Sequence, residues 1–377
     1  MLRASAPLRS PLRRRPARFA NSVPPSPPPP PPFSRRVGPQ VAFTAGGVSL
    51  ALGTAVYLTN RDTLARSPSS ALHGDPSSNS SGVFTSWRRR LTTGLSPTLS
   101  RQRADEAYAQ AAHWVRSVGQ GSTRLAVIAA ENWLEAGEAR RTALGLVASF
   151  AGVWVAWRFN ARGSVARWWA HDALSGRSVT LLTSTFSHRT LPHLLFNSLA
   201  LYSFTTATFR YLDTSDVLPR STSKYEYLAL FVSAGLVSGL ASHVWFSRVI
   251  AGRLLQRFGA KATREAIVPS LGASGAVYAL VTLTALSFPQ TSIALIFLPF
   301  FPLPIGLATA GLLCVDLVGL VRGWRAFDHA AHLAGAASGA VYWAVGHDAF
   351  EWVRKALWPS QARLEAQKRA GRAYGAQ

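Results

Sequence analysis

Long stretches without Asp, Glu, Lys or Arg most constrain what this chain can fold into. A helix that crosses a bilayer needs roughly 17–25 predominantly apolar residues. The longest charge-free run exceeds one span and contains prolines between residues 289 and 304, so we expect two helices there, near 271–288 and 304–321, joined by a re-entrant or surface segment. The pattern predicts an all-α membrane protein with seven spans. The charge-free runs are 41–58, 142–157, 190–209, 227–247, 266–315 and 329–347.

The net charge of +23 is unevenly distributed along the chain. The first carboxylate is Asp62, and the residues before it are rich in arginine and serine. This composition is typical of a mitochondrial targeting sequence; a basic cytosolic tail is the alternative. We assign residues 1–36 to targeting sequence and a proline-rich linker, with the proline tract at 24–32. A basic chain can bind nucleic acid, but this distribution predicts no nucleic-acid partner.

The remaining chain divides by composition. Residues 41–58 are predicted to form an extra N-terminal transmembrane helix, followed by a polar connector with interfacial helices at 59–140. A six-helix transmembrane core is expected at 141–350, and a basic, solvated helical tail at 351–377. The single cysteine, Cys314, excludes a disulfide framework and is expected to be a buried packing residue.

A serine between glycines lies inside the longest apolar run. Ser274 follows Gly272 and precedes Gly275, near the expected start of a helix. Backbone N–H groups at a helix start have no internal partner and favour negative charge. The glycines leave room for a substrate backbone beside the hydroxyl. The sequence is compatible with a nucleophile, although helix packing alone also explains such a motif.

A histidine in the last apolar run strengthens the nucleophile hypothesis. A serine hydroxyl needs a base, and imidazole is the usual one. His332 shares a helix face with Gly335 and Gly339, which carry no side chains and allow a close approach of the serine helix. Asp328 lies one turn earlier and could orient the imidazole. The simpler interpretation, which we prefer, is that Asp328 caps the helix.

Three further side chains are candidates for the same site. Tyr278 lies one helical turn after Ser274 and either packs against the imidazole or is an ordinary interior tyrosine. His193 and Asn197 lie four residues apart on one helix face, and both can donate hydrogen bonds. Together with the Ser274 backbone N–H they would form an oxyanion hole. The alternative for His193 is a buried, satisfied histidine.

The histidines at 188, 193 and 332 are the candidates for a metal site. They are not closely spaced in the sequence, and no carboxylate joins them in a known metal motif. We therefore expect no metal and no cofactor.

Taken together, these residues resemble the rhomboid intramembrane serine proteases. The resemblance covers roughly 141–347, the whole six-helix core. The segments 300–305 and 323–332, and the extra helix before the core, are similar to the mitochondrial branch of the family. The matching motifs are Phe186-Ser-His188, His193-x-x-x-Asn197, Gly272-x-Ser274-Gly275 with Tyr278, and Ala331-His332-x-x-Gly335-x-x-x-Gly339.

The resemblance implies a role for each residue. Ser274 would be the nucleophile and His332 the general base, working as a dyad without an acid. His193, Asn197 and the Ser274 amide would stabilise the oxyanion, and Tyr278 would buttress the imidazole.

The resemblance also concerns the first loop of the core. It would place His188 near the opening of the active site. Many members of the family carry a Trp-Arg pair in this loop. Here Trp157-Arg158 falls at the end of the preceding span, and Arg167-Trp168 has the reverse order.

By this resemblance the chain would be a multi-pass endopeptidase of the mitochondrial inner membrane. Its partners would be the lipid bilayer and single-pass membrane protein substrates, including a dynamin-related GTPase. A non-proteolytic, client-binding relative is one alternative, but such proteins lose the serine or the histidine. A transporter or channel is another, although it would carry several intramembrane charges, and here Asp316 is the main one.

Overall fold

The computed structural model describes residues 34–66, 137–160, 163–214, 218–295 and 298–374. The predicted targeting sequence up to residue 33, and the predicted connector and interfacial helices between residues 67 and 136, lie outside these ranges. The helices are α1 (Gly38–Arg66), α2 (Glu138–Phe159), α3 (Ser164–Trp169), α4 (Thr180–Thr183), α5 (Leu191–Leu212), α6 (Lys224–Val244), α7 (Ala251–Ala266), α8 (Ser274–Ser287), α9 (Ile305–Arg322), α10 (His329–Val341) and α11 (His347–Tyr374).

Two pairs of helices join without a break. A π-helical segment, Trp245–Ile250, links α6 to α7, and a second, Tyr342–Gly346, links α10 to α11. Helix α7 bends at Gly259, whose φ of 75° is unfavourable for other residues. A short 3₁₀ turn, Ser184–Phe186, follows α4.

Among the described residues, four helical stretches are long and apolar enough to cross a bilayer, and the helix that carries the serine is shorter. By length and composition, α1, α2, the continuous stretch Lys224–Ala266 and α9 are each long and apolar enough to span a membrane. These helices confirm the predicted all-α membrane architecture. Helix α8 has only 14 residues, a length of about 21 Å, against a hydrocarbon thickness of about 30 Å. Helix α8 alone is therefore shorter than the hydrocarbon layer is thick.

The longest charge-free run divides into two helices, α8 and α9, as predicted. The segment between them contains a two-stranded antiparallel hairpin of β1 (Ser292–Leu295) and β2 (Leu298–Pro304). Ser292 pairs with Pro304 and Ile293 with Leu303, with an irregularity after Ala294. Prolines fit these strands because an edge strand does not need every backbone N–H.

Helix α8 forms the centre of the core. Apolar residues occur around its whole circumference, which is the pattern of a fully buried helix. It packs against α5, α6, α9 and α10. Its side chains join those of α5 and α6 in one cluster that includes Leu201, Phe231 and Leu280, all fully buried. The serine at its start is thus held by neighbours on several sides.

The extra N-terminal helix packs on the core and is longer than predicted. Helix α1 lies antiparallel to α6. Asp62, near the end of α1, accepts a hydrogen bond from Tyr225 at the start of α6, and the Arg36 carbonyl before α1 contacts His243 at the end of α6. The assignment of residues 59–66 to a polar connector was wrong: the helix continues to Arg66. Its last turns stay ordered because Asn60 exchanges hydrogen bonds with Arg354.

The C-terminal segment is helical, as expected, but its first turns are not solvated. Arg354 is fully buried, and Trp358 and Ala362 join a core cluster with Leu64. The prediction of a solvated tail was wrong for these turns because charged residues can be buried when they pair with an opposite charge. The guanidinium of Arg354 is paired with Glu351, which makes burial of both groups tolerable.

Cys314 is exposed, and its predicted burial was wrong. It lies on α9, where Leu312, Val315 and Val318 are also exposed. In a bilayer such a face contacts lipid, and apolar composition does not distinguish lipid-facing positions from packed ones.

Candidate active site

A constrained loop brings Ser274 to the start of α8. Gly272 has φ of 127°, a conformation that residues with a Cβ rarely adopt. A Cβ at this position would also lie 2.6 Å from Cε1 of the His193 ring. The Gly272 N–H donates to the Ser184 carbonyl at 2.9 Å, and Ser270 forms a two-way backbone bridge with His171. The loop therefore requires glycine for both its conformation and its packing.

The serine hydroxyl and the histidine of α10 are in hydrogen-bonding contact. Ser274 Oγ lies 2.8 Å from His332 Nε2, and the imidazole is buried. This is the contact that the sequence predicted between residues 58 positions apart. It is also the distance that a nucleophile and its general base require.

Two glycines of α10 let it approach α8 closely enough for this contact, and Gly275 of α8 makes room for α6. A Cβ on Gly335 would overlap the Gly275 carbonyl oxygen, and one on Gly339 would overlap the Ala279 carbonyl oxygen. A Cβ on Gly275 would overlap the hydroxyl of Ser238 on α6. Backbones at such short separation occur only where small residues line the interface.

Tyr278 stacks on the imidazole. The two rings are 4.4 Å apart between centroids and nearly parallel, with an interplanar angle of 13°. Of the two interpretations of Tyr278, the structure favours contact with the imidazole over an unrelated interior position. Stacking limits rotation of His332 about its side-chain bonds.

A carboxylate that the sequence did not assign to the site lies behind the imidazole. Asp316 Oδ1 is 2.9 Å from His332 Nδ1 and 2.6 Å from His329 Nδ1. Asp316 is buried at 3% exposure, so these contacts replace water as its partners. The dyad without an acid that the resemblance implies differs from this arrangement, in which a carboxylate contacts the second imidazole nitrogen.

Asp328 has the capping role that we preferred for it. It accepts a hydrogen bond from the Ala331 N–H and precedes the first residue of α10. The hydroxyls of Ser242 and Ser270 donate to its other oxygen. Asp328 thereby ties the start of the histidine helix to α6 and to the loop before Ser274.

The predicted oxyanion donors lie beside the serine loop. The ring of His193 packs against Gly272, and the Asn197 amide donates to the His193 carbonyl at 2.9 Å. One of the two amide hydrogens of Asn197 is thus used within its own helix, and the second remains for another acceptor. The His193 ring therefore lies beside the loop that carries Ser274, and Asn197 lies one turn further along α5.

His188 lies at the end of the first loop of the core and contacts the loop that precedes Ser274. Its Nε2 accepts a long hydrogen bond of 3.4 Å from the Ala273 N–H, and its ring meets that of His193 edge-on at 5.0 Å. Burial, with a contribution from neighbouring His193, lowers the pKa of His188 to about 3. His188 is therefore neutral and acts as an acceptor for the residue preceding the serine.

The tryptophan and arginine that end α2 anchor the first loop. Trp157 Nε1 donates to Ser187 Oγ at 2.8 Å, and Arg158 donates to the Arg189 carbonyl at 2.8 Å. These contacts lie on either side of His188 in the sequence. Trp157-Arg158 thus reaches the loop although it belongs to the preceding helix. Arg167 lies over the ring of Trp168 instead.

The carboxylate and two histidines could together hold a metal ion. Atoms of Asp316, His329 and His332 that can bind a metal lie within 4.8 Å of one another. These are not the three histidines considered from the sequence. The Nδ1 atoms of both histidines are already hydrogen-bonded to Asp316 Oδ1, and His332 Nε2 contacts Ser274 Oγ.

Residues 175–349 match the family model of the Rhomboid domain. The matched region covers slightly less than half of the chain, and the likeness to rhomboid proteins is that of this region. It starts after α3 and ends in the first turn of α11, so it contains Ser274, His332 and Asp316.

The similar proteins belong to the mitochondrial branch. The chain is 32% identical to the mitochondrial presenilin-associated rhomboid-like protein of Rattus norvegicus, over 57% of this chain and 51% of that protein. It is 31% identical to RHOMBOID-like protein 12 of Arabidopsis thaliana, over 57% and 61%, and 31% identical to Rhomboid protein 1 of Saccharomyces cerevisiae, over 53% and 50%. The chain spans about half the length of most of these relatives. Together with its apolar helices, they indicate a mitochondrial multi-pass membrane protein.

Sequence reasoning missed Asp316 and His329 as parts of the rhomboid domain's polar cluster. No local motif links them, because Asp316 is on α9 and both histidines are on α10. The available signal was the position of a carboxylate inside an apolar span, where an ionisable group needs a partner. The neighbouring histidines are the partners within the described residues.

Proposed function

We propose that this chain is an intramembrane serine endopeptidase of the mitochondrial inner membrane that cleaves membrane-anchored proteins within or near a transmembrane helix. The observation that carries the proposal is the 2.8 Å contact between Ser274 Oγ and His332 Nε2 in a buried setting. The match to the Rhomboid domain and the mitochondrial relatives support it.

Asp316 selects the tautomer of His332 that a general base needs. A carboxylate can only accept hydrogen bonds when ionised, so His332 donates its Nδ1–H to Asp316 Oδ1. The Nε2 atom is then free of hydrogen and accepts from the Ser274 hydroxyl. When His332 takes the proton, the adjacent carboxylate stabilises the imidazolium. We therefore assign Asp316 as a positioning residue of a triad and not the acid-free dyad.

The reaction follows the serine-protease sequence. Ser274 Oγ attacks the scissile carbonyl carbon as His332 removes the hydroxyl proton, which gives a tetrahedral oxyanion. His332 returns the proton to the leaving amine, the C–N bond breaks, and an acyl-serine remains. A water molecule then attacks the ester carbonyl while His332 takes its proton, and the second fragment leaves.

The oxyanion would be stabilised by three donors: the backbone N–H of Ser274, the Asn197 amide and the His193 imidazole. The backbone donor lies at the start of α8, where the helix dipole favours negative charge. His193 already contacts Gly272. Asn197 has a second amide hydrogen besides the one donated to the His193 carbonyl. Each such donor typically contributes about 3–4 kcal/mol of transition-state stabilisation.

The position of the serine sets a condition on the substrate. We infer from the short length of α8 that Ser274 lies below the membrane surface. Water must then enter a cavity open to one face, and the substrate helix must unwind to expose a carbonyl. We infer that the substrates are single-pass membrane proteins with small or helix-weakening residues near the cleavage site. A dynamin-related GTPase is a candidate through the family resemblance.

Labelling with a fluorophosphonate probe tests the nucleophile without needing a substrate. We expect purified protein to be labelled at Ser274, and the Ser274→Ala variant to remain unlabelled. Ser287→Ala, at the other end of α8, is the matched control and should label normally. A folded protein that neither labels nor cleaves a reporter helix would support the client-binding alternative instead.

A further inference from the structure

A basic segment emerges where α6 reaches the end of the membrane. Helix α6 has 21 residues, a length of about 31 Å, which matches the hydrocarbon thickness. The residues after Val244 therefore lie at headgroup level. From Ser247 to Thr263 the chain carries four cations and no carboxylate: Arg248, Arg253, Arg257 and Lys261.

The same segment has the apolar residues of a helix that lies at an interface. Phe258 is 63% exposed, whereas Leu254 packs towards the core. A helix with exposed aromatic and basic residues at the end of a span binds the headgroup region of a bilayer.

Three arginines converge on a pocket at this level. Arg35, Arg248 and Arg253 line a cavity of about 480 Å³, together with Val249 and Leu255. No carboxylate is among the lining residues, so within the described part of the chain this group of positive charges has no anionic counterpart at the pocket. Arg248 and Arg253 are exposed. An anion with an apolar part fits such a lining.

Arg35 is fixed in place from several directions. Its Nε donates to the Ser247 carbonyl at 2.8 Å, and its Nη2 donates to the Arg248 carbonyl at 3.2 Å. The preceding N–H, of Ser34, donates to the Leu174 carbonyl. Gly252 leaves the space that this guanidinium occupies, because a Cβ there would lie 3.1 Å from Nη2. The pocket is therefore built from a fixed arginine and two exposed ones.

The pocket is on the same side of the membrane as the serine. The Arg36 carbonyl accepts from His243, and His243 contacts His171 at 3.0 Å. His171 is bridged through its backbone to Ser270, four residues before Ser274. A short chain of contacts thus connects the pocket to the loop that carries the hydroxyl.

We propose that Arg35, Arg248 and Arg253 bind the phosphate of an anionic phospholipid, whose acyl chains extend along the apolar wall of Val249 and Leu255. A lipid is favoured over a soluble anion because the site combines guanidinium groups with apolar side chains at the end of a spanning helix. Guanidinium groups bind phosphate through paired, charge-assisted hydrogen bonds.

Native mass spectrometry of the full chain in detergent tests this proposal. We expect wild-type protein to retain one phosphatidylglycerol in preference to phosphatidylcholine. The double variant Arg248→Gln/Arg253→Gln should bind phosphatidylglycerol at least about tenfold more weakly. Both side chains are exposed, so folding should be kept, and an unchanged unfolding midpoint checks this. The matched control, Arg257→Gln/Lys261→Gln, removes two cations outside the pocket and should change affinity less than about twofold.

Several outcomes would overturn the proposal. Equal weakening in both double variants would indicate diffuse attraction to the basic segment and no defined site. Displacement of the lipid by inorganic phosphate at a similar concentration would show that an adventitious or free anion suffices. Displacement by a soluble glutamate-rich peptide would assign the pocket to a protein partner. Unaltered binding in Arg248→Gln/Arg253→Gln would exclude the pocket altogether.

Discussion

Two buried polar clusters lie at opposite ends of the same helical core, and they use their carboxylates differently. In the distal cluster, formed by Arg220, Glu226, Glu351 and Arg354, each of the four carboxylate oxygens accepts at least one hydrogen bond. In the candidate catalytic cluster, formed by Ser274, Asp316, His329 and His332, the ion-pair partners of Asp316 among the described residues are the two histidines, whose Nδ1 atoms both meet its Oδ1.

The difference indicates what each cluster is for. The distal cluster balances two arginines against two glutamates and joins α1, α6 and α11, so it holds helices together. The candidate catalytic cluster places one carboxylate beside an imidazole that must become charged during the proposed reaction. A carboxylate in this position can stabilise a positive charge that forms only transiently.

Replacing the proposed nucleophile should show most clearly that the two clusters have different roles. Ser274→Ala removes the hydroxyl, and cleavage of a reporter helix should fall by about 10⁴-fold or more. The unfolding midpoint should stay close to the wild-type value, because the distal cluster is unchanged. Cleavage by the purified variant at an undiminished rate would exclude Ser274 as the nucleophile.

Removing the charge of Asp316 should have the next largest effect. An asparagine can donate to His332 Nδ1 and so favour the tautomer whose Nε2 cannot accept from Ser274. We expect Asp316→Asn to lower kcat by about 10²–10⁴-fold, with little change in KM. The measurement is steady-state cleavage of a fluorogenic reporter in proteoliposomes.

Asp328→Asn is the control for this variant. Asparagine is as good a helix cap as aspartate, so kcat should fall by less than about tenfold. If the two variants lost the same activity, the cap and the positioning carboxylate could not be distinguished, and the triad would have to be abandoned.

Breaking the distal cluster should affect stability and spare the chemistry. Arg354→Met leaves the two buried glutamates of the cluster with one of its two arginines, Arg220, and should lower the free energy of unfolding by about 3–5 kcal/mol. The double variant Arg354→Met/Glu351→Leu should recover part of this loss, since no unpaired charge remains. Unfolding in denaturing detergent measures both values. Cleavage per folded molecule that fell with stability would show that the clusters are coupled.

Lowering the pH should reduce the stability of the folded protein, because the first loop of the core contains a buried histidine, His171. Burial, with a contribution from neighbouring His243, lowers the pKa of His171 to about 3. Between pH 7 and pH 5 the folded protein keeps His171 neutral, whereas the unfolded chain takes up a proton below about 6.5. Stability therefore falls as pH falls, by about 2 kcal/mol at pH 5 for this residue.

The variant His171→Asn checks the acid effect. It should be less stable than wild type at pH 7, because the bonds to Thr180 and His243 change. Its further loss between pH 7 and pH 5 should be smaller by about 2 kcal/mol. An identical pH dependence in the two proteins would contradict the assignment.

The sequence predicts the contact between Ser274 and His332 better than the rest of the candidate site. Ser274, His332 and the glycines at 275, 335 and 339 obey helical spacing, and that spacing is a local property. Asp316 could not be placed, because its role depends on which neighbouring helix its face meets. Apolar composition likewise did not distinguish lipid contact from protein contact at Cys314.

Boundaries and charged segments were harder to predict for a related reason. The end of α1 at Arg66 and the buried start of α11 both depend on pairing between residues about 294 positions apart, Asn60 and Arg354. A charged residue indicates solvent only when no opposite charge or hydrogen-bonding group is available. Such partners become visible once the chain is folded.

The short helix that carries Ser274 fixes the depth of its hydroxyl. Each added turn at the start of α8 would raise the oxygen by about 5.4 Å along the helix axis. Two added turns would bring it to the level of the lipid phosphates, where water is plentiful and a partly buried site is unnecessary. In the proposed protease, the number of residues between Gly272 and Phe288 therefore determines how far into the membrane a substrate chain must reach to contact the Ser274 hydroxyl.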